Sequence, residues 1–260
     1  MDPNVREWLN MIFRWAHVVA GILWIGHLYF FNFVNSQVAK TYDAESKKKV
    51  VPELMPRALY WFRWGAAYTW ITGILLLGLV IYMDAGVIVP AESSLGSVTA
   101  SIIGLAILVI GFLVYDVLWK SMAKNEQAGV IVSYVLILIL LFVMSRIFSG
   151  RATYIQLGAT FGTIMAGNVW MRIWPSQRKI IAAAKGGPAV DPAVVAMAGL
   201  RSKQNTYLSV PLVFTMVSNH FPTIYGSDFG WVILAILVLV GFGVTKLLYN
   251  KAASPTPAQF

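Results

Sequence analysis

Apolar residues along this chain run on rather than alternate. Seven stretches, at roughly 8–34, 58–83, 98–119, 129–147, 152–172, 206–222 and 229–249, come near the twenty or so residues a helix needs to cross a hydrocarbon layer. The pattern predicts an all-α fold, a polytopic transmembrane bundle of about seven helices forming one domain over 1–251, with 252–260 a disordered tail. The sixth stretch is the least regular, being short, carrying Pro211 and ending at Pro222. Ahead of it, "VDPAVVAMAGLRSKQN" places Asp191 as an N-cap and Pro192 at the first helical position, which predicts a surface helix leading into the sixth span.

Composition agrees with the pattern. The 260 residues are 58% hydrophobic and 12% charged, against about 25% charged in soluble domains. Cysteine is absent, which excludes disulfides, thiolate metal sites, iron–sulfur clusters and covalent c-type haem. The opening "MDPNVREWLNMIF" lacks a basic leader and a cleavage site and reads as mature sequence.

Charge sets the orientation. The formal net charge is +9, but its distribution points to a membrane, not to nucleic acid. Lys40, Lys47, Lys48, Lys49 and Arg57 follow the first span; Arg172, Arg178, Lys179, Lys185, Arg201 and Lys203 lie around the loop after the fifth. Lys120 and Lys124 follow the third, and Lys246 and Lys251 close the seventh. The opposite loops hold Asp84, Glu92 and Asp228, with only Arg6, Arg146 and Arg151 weighing the other way. The positive-inside rule puts the N-terminus outside and the C-terminus in the cytoplasm, and the implied location is a bacterial inner membrane.

The chemistry a bundle of this kind could carry rests first on its three histidines, His17, His27 and His220. An imidazole in hydrocarbon needs a hydrogen-bond partner or a metal. His17 lies roughly 13 Å below the outer end of the first span, with Gly21 and Trp24 following on the same face and Arg14 one turn outward. Histidine, small residue and outward arginine on one stripe resemble half of a b-type haem site, with Arg14 meeting a propionate. His220, near the outer end of the sixth span, is the candidate second iron ligand. His27 is about 15 Å further inward and rotated by about 80°, so it cannot share that haem; a second haem, a proton or quinone site, or simple packing are its alternatives. Thr215, Ser218 and Asn219 give the sixth span a polar face, and Asn219 within it and Gln204 and Asn205 just ahead of it are the candidates for substrate contact. Arg63 and Arg172 read as snorkelling side chains, and Asp116 with Lys120 as an interfacial pair.

Four segments, "RWAHVVAGILWIGHLYFFNF", "YWFRWGAAYTWITGILLL", "NVWMRIWPSQRKIIAA" and "QNTYLSVPLVFTMVSNHFP", together resemble, in order, the membrane domain of the bacterial membrane-bound urate oxidase family. The resemblance implies oxidation of urate by the membrane domain and transfer of the electrons to a cytochrome c. Full-length members carry a further helix and a cytochrome c domain outside; this chain ends after its seventh span without a Cys-x-x-Cys-His, so the expected acceptor is a separate periplasmic cytochrome c. Gln204 stands where the family usually has histidine. The opening segment is also similar to membrane haem proteins such as the haem-binding bacterial protoporphyrinogen oxidase, which by resemblance assigns haem b binding to His17. The expected function is a b-type haem redox protein acting on a small substrate such as urate; the alternative is an accessory subunit of a larger membrane complex or homo-oligomer. A transporter gains little support, since no paired broken helices or internal duplication are visible.

Overall fold

A computed structural model describes residues 1–254. The tail expectation falls mostly on 255–260, outside the described residues, while Ala252 ends the last helix. Among the described residues there are seven long helices: α1 (Pro3–Val38), α2 (Ala44–Tyr82), α3 (Ser97–Ser121), α4 (Glu126–Ile147), α5 (Gly150–Asn168, continuing through Val169–Ile173 into Trp174–Ala184), α6 (Pro192–Ser218) and α7 (Gly230–Ala252). No strand occurs among the described residues. The chain is a multi-pass helical membrane protein, as the apolar runs predict.

Several helices extend beyond the predicted spans. α2 begins 14 residues before the predicted span, capped by Asp43, whose side chain accepts from the Ser46 amide. The surface helix expected ahead of the sixth span is continuous with it: Asp191 caps Ala193, and α6 then runs 27 residues through Pro211. Pro211 is tolerated because α7 presents Gly241 to it, where a Cβ would lie 2.9 Å from the proline Cδ.

Five of the seven helices are long and apolar enough to cross a membrane by composition alone, and the two that are not, α5 and α6, are the bundle's centre. α5 buries Thr153, Gln156, Thr160 and Asn168, and α6 buries Arg201, Gln204, Asn205, Thr206 and Ser209. Helices wrapped by other helices need not be apolar toward lipid, and their polar groups pair with one another. α1 and α2 pack most extensively, small residue to backbone. A Cβ on Gly65 would stand 3.0 Å from the Trp24 nitrogen and 3.3 Å from the Ala20 carbonyl oxygen.

Three π-helical segments interrupt the ladders: Phe30–Asn35 in α1, Leu77–Tyr82 in α2 and Val169–Ile173 in α5. Each lies beside a polar side chain that bridges helices. Asn32 donates to Ser202 and accepts from Tyr249, the Leu79 carbonyl accepts from Arg6, and Arg172 reaches Asp116. π-segments are often found at functional sites, and the one in α5 borders the cluster described next.

Candidate functional site

Toward the inner end of the bundle, α3, α5 and α6 converge on a buried polar cluster. Asp116, 5% exposed, accepts from Arg172 through Nε at 2.9 Å and Nη2 at 2.5 Å, from Arg201 Nη2 at 3.0 Å and from Lys120 Nζ at 2.9 Å. Arg172 therefore does not snorkel to headgroups: its fork is taken by a carboxylate on another helix. Nor is Asp116 with Lys120 a plain interfacial pair. One carboxylate faces three cations, so the cluster keeps a positive excess.

Above the charges, a hydrogen-bond chain runs in one direction. The Arg201 guanidinium lies against the Tyr115 ring at 4.9 Å and reaches Gln204 Oε1, which also accepts from the Tyr115 hydroxyl. That hydroxyl accepts from Asn168 Nδ2 at 2.8 Å, and the same amide donates to Asn205 Oδ1 at 2.8 Å. Asn205 in turn donates to the Met165 carbonyl at 3.0 Å. Every orientation is fixed by its neighbour, and two groups are left over: Asn168 Oδ1, an acceptor, and Gln204 Nε2, a donor, both buried and without a partner. Of the predicted substrate residues, Gln204 and Asn205 fall in this network. Asn219 does not. It lies at the opposite end, accepting from Arg151 Nε at 2.6 Å.

The histidine stripe has a different surrounding from the one predicted. His17 faces α2, its Nδ1 3.1 Å from Thr72 Oγ1 and its Cε1 where a Cβ on Gly73 would come within 3.0 Å. Thr72 gives its hydroxyl proton to the Tyr68 carbonyl at 2.6 Å, so Nδ1 of His17 carries hydrogen and Nε2 keeps its lone pair. Gly21 sits against the Thr69 methyl, and Trp24, 2% exposed, has its backbone on Gly65. Arg14 donates to Asn10 at 3.2 Å. The face read as room for a macrocycle is the α1–α2 seam.

His220 lies exposed in the turn after α6. Trp70 on α2 bonds Thr163 on α5, and Gly162 meets Leu212 on α6; by that register His220 is further out than His17 by roughly 10 Å at 1.5 Å per residue. A haem b held by His17 and His220 between α1 and α6 does not fit this arrangement. His27 bonds the Leu23 carbonyl of its own helix at 2.7 Å. Among the described residues no group of three or more His, Cys, Asp or Glu converges in a metal-binding set.

The outer end explains the three arginines that oppose the charge bias. Arg6 pairs with Asp84 at 3.2 Å, and Arg6 and Arg151 line a cavity of about 350 Å³ with Asn10 and Glu7. Arg146 lies over the Phe142 ring at 4.9 Å and borders a second cavity of about 560 Å³ with Glu92 and Asp228.

Fold and cluster together define a multi-pass helical membrane protein with a polar centre built from its least apolar spans. The chain matches the family model described as urate oxidase N-terminal over residues 3–50 and 41–258, and it belongs to that family. Comparison with curated proteins and with solved structures gave no match.

Proposed function

We propose that this chain is the membrane-embedded redox component of a urate oxidase system in a bacterial cytoplasmic membrane. In this reading it takes a small planar substrate of the urate type between α3, α5 and α6, and the electrons pass to a separate periplasmic cytochrome c. Family membership supports the substrate class. The site is supported by one observation: the one-way chain through Tyr115 leaves a buried acceptor on Asn168 and a buried donor on Gln204. A ring amide edge, with its N–H beside its C=O, supplies the complement of both, and urate is built of such edges. The positive excess around Asp116 suits the urate anion.

The test uses purified protein with urate and oxidised cytochrome c, following reduction of the cytochrome and, separately, urate binding. Gln204→Glu keeps the oxygen that Tyr115 and Arg201 hold, replaces the free NH₂ group by an acceptor oxygen and adds a negative charge that opposes an anionic substrate. It should lower urate affinity or turnover by about tenfold, the scale of a site left with one hydrogen bond unmade. Gln204→His restores a ring N–H and should recover part of the loss. Binding without turnover would favour an accessory subunit, and absence of both would remove this reading.

A further inference from the structure

The outer cavity of about 350 Å³ lies where the start of α1, the end of α2 and the start of α5 meet. Its walls are fastened to one another. Arg6 Nη2 donates to the Leu79 carbonyl at 3.1 Å and to Asp84 Oδ2 at 3.2 Å, which ties α1 to the end of α2 and the turn after it. The Ser149 amide donates to the Ile88 carbonyl at 3.0 Å, which fastens the start of α5 to the short helix Ala85–Ile88. Leu79, Val80 and Val87 make part of the wall apolar. The volume is at the lower end of ligand pockets, room for a head group or a small solute.

Two charges on this wall are unpaired. Arg6 and Asp84 neutralise each other. Arg151 and Glu7 border the same cavity but form no ion pair with each other or with any other described residue. Arg151 commits its Nε to Asn219 Oδ1 at 2.6 Å, which leaves its two terminal amino groups. Asn10, also on the wall, has its oxygen taken by Arg14 Nη2 at 3.2 Å, so its NH₂ is the group it can offer. The cavity thus presents donors for an oxyanion, from Arg151 and Asn10, and an acceptor for an N–H cation, from Glu7. A simple anion would face the Glu7 carboxylate, and a simple cation the Arg151 guanidinium. A molecule with both charges complements both.

We propose that this cavity binds a zwitterion, its oxyanion held by Arg151 and Asn10 and its ammonium by Glu7, with the adjoining carbons against Leu79, Val80 and Val87. Two sources carry that chemistry. One is the head group of an ethanolamine phospholipid, since the cavity lies at the outer end of the bundle, where the apolar spans stop. The other is a small water-borne zwitterion. The cavity is at the opposite end from the Tyr115 network, and its ligand does not depend on the proposed function.

The experiment titrates the full chain in a non-ionic detergent with O-phosphoethanolamine and, separately, with dihexanoyl phosphatidylethanolamine, reading binding by calorimetry. Dihexanoyl phosphatidylcholine, whose ammonium has no N–H, is the comparison. Glu7→Gln removes the negative charge at an exposed position. Arg151→Lys keeps the positive charge and removes the fork. The expected result is saturable binding of at least one ethanolamine probe to the parent chain, weakened roughly three- to tenfold by each variant, the scale of a charge-assisted hydrogen bond discounted for solvent. Phosphatidylcholine should bind more weakly than phosphatidylethanolamine. Arg146→Gln, in the other outer cavity, should leave the affinity unchanged. Tighter binding of the lipid than of the free head group identifies a bilayer source, and equal binding a water-borne one. The inference is overturned if neither ethanolamine probe saturates, if either variant binds as the parent does, or if phosphatidylcholine binds as tightly as phosphatidylethanolamine. It is equally overturned if Arg146→Gln weakens binding as much as the two variants do.

Discussion

Arg201 and Asp116, 85 residues apart in sequence, meet at 3.0 Å with the arginine side chain 2% exposed. This contact ties α6 to α3 at the inner end of the bundle, and Arg172 adds α5 to the same carboxylate. Removing the carboxylate leaves two guanidinium groups facing each other in a poorly solvated site. Losing one partner of a buried ion pair costs about 3–5 kcal/mol, whereas an exposed pair contributes about 0–1 kcal/mol. Asp116→Ala should therefore lower the thermal unfolding midpoint in detergent far more than Lys120→Ala, whose side chain is 57% exposed. Equal effects of the two substitutions would mean that the cluster does not anchor the three helices.

The contrast between that cluster and its sequence shows what was legible beforehand. Apolar runs marked five of the helices strongly, because hydrocarbon selects for them, and α5 and α6 only as shorter or interrupted runs, with Asp191 and Pro192 marking the start of α6. They understated α2, α5 and α6, whose polar inner extensions look like loops when only apolar runs are counted. The partnership of Asp116 with Arg172 and Arg201 was not legible, since it depends on which helices adjoin, and local spacing shows only Lys120. Gln204 and Asn205 were found as polar residues just ahead of the predicted sixth span, Gln204 through its place in the family resemblance. Asn168 and Tyr115 carried the same kind of signal more faintly. The histidines misled because His17, Gly21 and Trp24 do share a face, as helical spacing requires, but that face meets α2.

The α1–α2 seam gives a second prediction. A methyl group at Gly65 would meet Trp24 backbone atoms at 3.0 and 3.2 Å, which cannot rotate away. Gly65→Ala should force the helices apart and destabilise by about 1–3 kcal/mol, lowering the unfolding midpoint. Gly26→Ala, where nothing lies within 4 Å of the added carbon, should be neutral or slightly stabilising, because alanine favours the helix by about 1 kcal/mol. If Gly65→Ala melts with the parent, the close approach of the two helices is not tight in solution.

His17 and His220 separate in the same way. His17 is oriented by Thr72, and its Nε2 is the nitrogen free to accept or ligate. His220 is exposed beyond α6. His220→Ala should leave stability, and the absorption spectrum of any haem retained through purification, as in the parent chain. Thr72→Val, which takes away the oxygen that fixes the His17 ring, should alter any spectrum that depends on His17. A bis-imidazole spectrum lost in both His17→Ala and His220→Ala would require a helix arrangement different from this one.

Tyr115 offers the sharpest separation between support and recognition. Its hydroxyl is the one atom that holds both Asn168 and Gln204, accepting from the first and donating to the second. Tyr115→Phe keeps the ring under Arg201 and removes only that oxygen. Two amides then lose a partner in a buried site, a stability cost of about 1–3 kcal/mol visible in the melting curve. If the amides also read a ring edge, their orientation is lost with the hydroxyl, and urate affinity should fall by about tenfold or more. Asn205→Ala, which removes a neighbouring support without touching the Tyr115–Gln204 bond, should cost similar stability but less affinity. Loss of stability in Tyr115→Phe with urate binding intact would assign the network to holding α3, α5 and α6 together and to nothing else.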